Sequence, residues 1–135
     1  MSDPQQRHLI LILARNFASR LATAVFLVDA DDRVIYFNEA AEALLGTKFH
    51  EGHGMTAQEY TSFFQATAED GGTLRASETP LGIAALELRP AHGPVRITGA
   101  DGVTRGIEVT AFPLLAHAGD LVGAVAFFWE RDESG

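Results

Sequence analysis

The amino-acid sequence predicts an α+β protein: a five-stranded antiparallel sheet with helices on one face and a further helix at the N-terminus. Three observations carry this. The stretch from Thr23 to Gly46 reads as two short strands, their turn and a capped helix in one uninterrupted run. Helix-start signals follow at Thr56 and at Thr79-Pro80. From Val95 onward the chain is apolar in the manner of strands. At 135 residues it is long enough for one self-sufficient core and too short for two. The expected division is a terminal helix over 1–22, one domain over 23–130 and a tail over 131–135.

Composition narrows the function. Eighteen acidic against ten basic side chains give a formal charge of −8, a poor match to the phosphates of nucleic acid, so DNA and RNA are set aside as partners. The absence of cysteine excludes disulfides, thiolate metal sites and cysteinyl cofactor adducts. The longest apolar run, Leu9 to Ala14, falls far short of the ~20 residues of a membrane span and lacks a signal-peptide cleavage pattern. A cytoplasmic protein without membrane attachment is expected.

Taken in order, Arg7 to Ala22 is helix-compatible, and at about 100° per residue Leu9, Ile10, Leu13, Ala14, Phe17 and Leu21 share one broad face. Leu11 and Ile12 project from the other side. The run Leu9–Leu13 also suits a strand, but Ala, Leu and Arg dominate the wider window and favour helix. Ala24–Val28 and Arg33–Phe37 read as strands joined by the turn-forming Asp29-Ala30-Asp31-Asp32. Asn38 then caps a helix with Glu39 and Glu42 in its first turn, which Gly46 ends. Thr47 to Gly54 is a loop. Thr56 and Glu59 form a capping box for a helix over Ala57–Ala68, with Phe63 and Phe64 on its core face. Thr79 and Pro80 start another that runs to about Leu88, and Arg89 to Pro94 is a connector. Val95, Ile97, Ile107 and Val109 face inward across the Asp101-Gly102 turn if the loop holds three residues; two would break the match. Leu121–Trp129 is apolar on both sides, as a central strand covered on both faces would be.

The succession of strand, acidic turn, strand ending in Phe37-Asn38, alanine-rich helix and Gly46 resembles the opening of a PAS domain, the sensory and dimerisation module of many bacterial signalling proteins. Thr79-Pro80-Leu81-Gly82, Ala84-Ala85-Leu86, the Asp101-Gly102 turn, Phe112-Pro113-Leu114 and Gly119 to Gly123 resemble its second half, so that the likeness covers about Leu21 to Glu130. The resemblance implies a sensory or protein-interaction module with a small-molecule pocket between helices and sheet, lined by some of Phe37, Phe63, Phe64, Ile83, Leu86, Ile97 and Val109. Such aromatics are more often packed core. It also implies pairing through the N-terminal helix, with Leu11 and Ile12 as the interface of a homodimer or the seat of an effector domain or partner protein. The chain stops soon after its last strand, where signalling proteins usually continue into an output domain.

No cofactor is assigned. The cysteine-linked flavin and yellow-protein photochemistries of the family need a residue this chain lacks. Haem through His92 and a non-covalent flavin stay open, although haem-binding members carry their histidine on the helix itself, and Leu81–Leu88 has none. A colourless protein is expected. His50-Glu51-Gly52-His53 lacks the spacing of a helical zinc motif and reads as a surface loop; His8 and His117 read as solvent-facing. No nucleophile with a base emerges, so catalysis is not expected; the alternative is a small enzyme or carrier of the ketosteroid-isomerase-like kind, which a carboxylate or histidine at the pocket base would favour.

Overall fold

A computed structural model describes residues 4–50 and 55–131. Its elements are α1 (Pro4–Ala18), β1 (Ala24–Asp29), β2 (Val34–Phe37), α2 (Glu39–Leu45), α3 (Ala57–Phe63), α4 (Pro80–Glu87), β3 (Ala91–Thr98), β4 (Thr104–Leu115) and β5 (Leu121–Glu130), with 3₁₀ turns at Ala76–Glu78 and His117–Gly119. The strands form one antiparallel sheet in the order β2-β1-β5-β4-β3. No helix among the described residues is long and apolar enough to cross a membrane.

The inner face of the sheet is covered by the helical side, and the outer face by α1 over β1 and β5. On the inner face Phe26, Phe37, Val95, Val109 and Phe128 pack beneath Ala41, Leu45, Phe64 and Ala84 of the helical side. On the outer face Val25, Leu27 and Val125 meet Ala18 at the end of α1. The central strand β5 therefore needs apolar residues on alternate sides, Ala124, Ala126 and Phe128 inward and Val125 and Phe127 outward.

Four local expectations are corrected. α1 is rotated from its expected setting: Leu11 is half-buried against Gly123 of β5, while Leu13 and Phe17 are 57% and 62% exposed. The docked stripe is Leu11, Ala14 and Ala18, because small side chains let the helix backbone approach the sheet; the bulkier Leu9, Leu13 and Phe17 stand outward, with Ile12 beside them. α3 ends at Phe63, since Gln65 turns left-handed at φ 49 and Thr67 exchanges two 2.9 Å backbone hydrogen bonds with Arg96. β3 begins at Ala91, inside the expected connector; it is an edge strand, where Pro94 costs no central ladder bond. The β3–β4 loop holds five residues, Gly99 to Val103, between the paired Thr98 and Thr104. Five is odd like three, so Val95, Ile97, Ile107 and Val109 still share the inner face.

Candidate functional site

A cavity of about 110 Å³ lies between the inner sheet face and helices α3 and α4. Its floor is Phe26, Ile97, Ile107, Val109, Ala126 and Phe128, and its helical wall includes Tyr60, Phe64 and Leu81. Of the residues expected there, Phe64, Ile97 and Val109 line it. Phe37 is buried one layer away, stacked on Phe26 with ring centroids 5.6 Å apart. Ile83 is half-buried on α4 outside the lining. Phe63 and Leu86 are corrections: they are 55% and 69% exposed. Adjacent helical residues diverge by about 100°, so only one of Phe63 and Phe64 can face the core. Tyr60 was missed, although it sits one helical turn before Phe64 on the same face of α3, a spacing readable from the sequence.

The polar chemistry of the wall is sparse. Thr61 donates its hydroxyl to the Ala57 carbonyl at 2.7 Å. Thr79 donates to the Ala76 carbonyl at 2.7 Å and accepts from the Gly82 amide at 3.2 Å, capping α4. Tyr60 differs: its hydroxyl makes no hydrogen bond among the described residues, and burial raises the phenol pKa. Neither a carboxylate nor a histidine is among the described lining residues.

Asn38 links this side of the sheet to α1. Its Oδ1 accepts from the Ala41 amide, capping α2, and from the Val25 amide, both at 3.0 Å. Its Nδ2 donates to the carbonyls of Ala18 and Thr23 at 2.9 Å, and more weakly to that of Leu21 at 3.4 Å. One fully buried side chain thus ties the end of α1, the following link, β1 and the start of α2. At the other end of α2, the Ala100 amide donates to the Leu45 carbonyl at 2.9 Å and Arg105 donates to the Leu44 carbonyl at 3.0 Å. The helix is held at both ends.

Residues 18–134 match the family described as the PAS fold. The chain belongs to the PAS family. Among solved structures it is similar to the PAS domain of Bordetella pertussis BvgS, with TM-score 0.62 and 17% identity over 92% of this chain and 87% of that one. It is also similar to the LOV protein of Rhodobacter sphaeroides, with TM-score 0.70 and 17% identity over 97% and 71%. A third likeness is to the PAS domain of nitrogen regulation protein NR(II) from Vibrio parahaemolyticus, with TM-score 0.59 and 18% identity over 88% and 98%. No curated protein matches it in sequence.

The cofactors left open for this PAS domain do not fit its cavity. His92 is on the outer sheet face, with Nε2 3.1 Å from Glu108 Oε2 and its ring beside Trp129, so it does not reach the cavity as a haem ligand would. A flavin presents a polar edge that needs several paired donors and acceptors. The wall offers two engaged threonines and one phenol, in a volume well below the ~300 Å³ at which ordinary small-molecule pockets begin. In the histidine-rich loop His50 is exposed, and Glu51 to Gly54 lie outside the described residues. No three metal-ligating side chains cluster among the described residues.

Proposed function

We propose that this PAS domain is a sensory module that works as a homodimer, in which events at the cavity are passed through the sheet and Asn38 to α1. The observation that carries the reading is the exposed side of α1. Leu9, Leu13 and Phe17 recur one helical turn apart, with Ile12 alongside, and Phe112 and Leu115 of β4 are exposed as well. Grouped apolar surface on one helix face marks an interaction site more clearly than scattered exposed residues do. A second copy is the occupant we favour, because the same stripe on both helices is self-complementary; an effector domain or partner protein is the competitor. The reading is non-catalytic; among the described residues the cavity wall carries neither the carboxylate nor the histidine that would favour ketosteroid-isomerase-like chemistry instead.

Sedimentation equilibrium of the wild type and of a Leu13→Glu, Phe17→Glu double variant tests the pairing. The wild type is expected to be a dimer and the variant a monomer with an unchanged fold, because both residues already face solvent in the single chain. A wild-type monomer, or a dimer indifferent to both charges, overturns it.

A further inference from the structure

The cavity is specific in size, in polarity and in where it opens. At about 110 Å³ it is somewhat smaller than an engineered apolar cavity of about 150 Å³ that stays dry and takes up benzene. Water could enter by volume, but an ordered water needs two to four polar partners, and the threonine hydroxyls of the wall already donate to backbone carbonyls. A charged ligand would lose its hydration against Phe26, Ile107, Val109 and Phe128 with no counter-charge among the described lining residues. The opening lies on the helical side. Tyr60, Thr61, Thr79 and Leu81 are half-buried, and every other lining residue is buried.

We propose that the cavity binds an uncharged, single-ring aromatic molecule carrying one hydrogen-bond acceptor, which receives the proton of the Tyr60 hydroxyl at the mouth. Three features meet in this assignment. The volume holds one ring and not two or three fused ones. The walls are aromatic and aliphatic, with Phe26, Tyr60, Phe64 and Phe128 among them, surroundings in which a further ring packs well. Tyr60 is also the lining side chain whose proton has no protein acceptor among the described residues; its hydroxyl is not among the buried unpaired atoms, so it faces water at the mouth, and a ligand acceptor would take that water's place. Two acceptors would leave one without a donor, which sets the ligand's polarity at a single heteroatom or carbonyl. The assignment rests on the sensory reading for its biological meaning and on the cavity for its chemistry.

Benzene and pyridine are nearly the same shape, and only pyridine carries an acceptor. The test titrates each, and flavin mononucleotide, into the full chain and into Tyr60→Phe, following backbone amide signals by NMR above the pKa of pyridine itself. Both rings are expected to shift signals of cavity residues such as Ala66, Ile107 and Ala126, and flavin mononucleotide to shift none. Tyr60→Phe is expected to weaken pyridine about fivefold, the loss of one modest hydrogen bond, and to leave benzene unchanged. Failure of both rings to bind, or flavin binding at the cavity, overturns the proposal. An equal response of both rings to Tyr60→Phe overturns the role of the hydroxyl. Signals of α1 report separately on the sensory reading: ring binding that leaves residues 9–18 unmoved keeps the ligand class and defeats the coupling to α1.

Discussion

At the scale of single residues, Asn38 has the largest predicted effect relative to its size. Replacing it with alanine would leave the Ala41 and Val25 amides without the acceptor that now holds them, and the carbonyls of Ala18 and Thr23 without their donor. At about 1–3 kcal/mol for each buried group left unpaired, partly relieved by relaxation, Asn38→Ala is expected to cost about 3 kcal/mol in urea unfolding. Asn38→Asp keeps the cap but sets carboxylate oxygens against two carbonyls, so it should be no better than alanine; a near-neutral Asp variant would show that the Nδ2 bonds contribute little. Asp32 offers a test by pH. Burial chiefly raises its pKa, Asp29 adds to the rise, and the Gln58 amide opposes it. A carboxylate with a raised folded pKa opposes folding once ionised, so its penalty appears as pH rises through the window between its ordinary value and the raised one. Asp32→Asn should therefore raise stability at neutral pH, by less than about 1 kcal/mol after solvent screening, and lose that advantage in acid. Asparagine also tolerates the left-handed φ of 67 at this position. A variant less stable than wild type at neutral pH would contradict the sign. The cap made by Asn38 was legible because Asn followed by acidic residues before an alanine run is a helix-start pattern; its bonds to Ala18 and Thr23 were not, since they depend on where an irregular link passes in space.

Among the elements, strands and capped helices were readable and the setting of α1 was not. Strand periodicity is self-checking: the inward residues of β3 and β4 had to agree across the hairpin, so the face match survived a loop of five residues in place of three. A helix with apolar residues nearly all round offers no such check. Leu9-Leu13-Phe17 and Leu11-Ala14-Ala18 are both valid stripes, and the sheet decides by how closely the helix can approach. Gly123 is the other half of that approach. A Cβ there would meet the Val28 carbonyl oxygen well inside van der Waals contact and come within 3.2 Å of Leu11. Gly123→Ala is thus expected to cost about 2–3 kcal/mol and to loosen α1, seen as faster amide exchange over residues 10–14. Gly102→Ala makes the useful contrast. It has φ 81 but nothing within 4 Å, so only backbone strain of about 1 kcal/mol should appear, with α1 undisturbed. If the two variants loosened α1 equally, the close packing of Leu11 on Gly123 would not be what holds the helix.

For the whole molecule, the cavity is a cost that the rest of the core carries. The family fold, the sheet and the place of a pocket between helices and sheet were legible from the order of elements, whereas how much of that space stays empty was not, because a sequence records which side chains turn inward and not how completely they fill the space. At about 24 cal/mol per Å³ a closed void of 110 Å³ would forfeit on the order of 2–3 kcal/mol of packing, an upper bound for a cavity that opens on the helical side. Ala126 marks the place to test this. It is in the middle strand, opposite Phe26 on one side and Ala111 on the other, and it forms part of the cavity floor. Ala126→Val adds two methyl groups in a residue type that suits a strand, and should stabilise the isolated protein by about 1 kcal/mol while removing the room for a ring. Thermal unfolding with and without saturating benzene separates the two effects. The wild-type midpoint should rise with benzene, as mass action requires of anything that binds only the folded state, and the Ala126→Val midpoint should start higher and stay where it is. A destabilised Ala126→Val would mean that the floor is already close-packed at this position, and a benzene response retained by a stabilised variant would place the ring elsewhere.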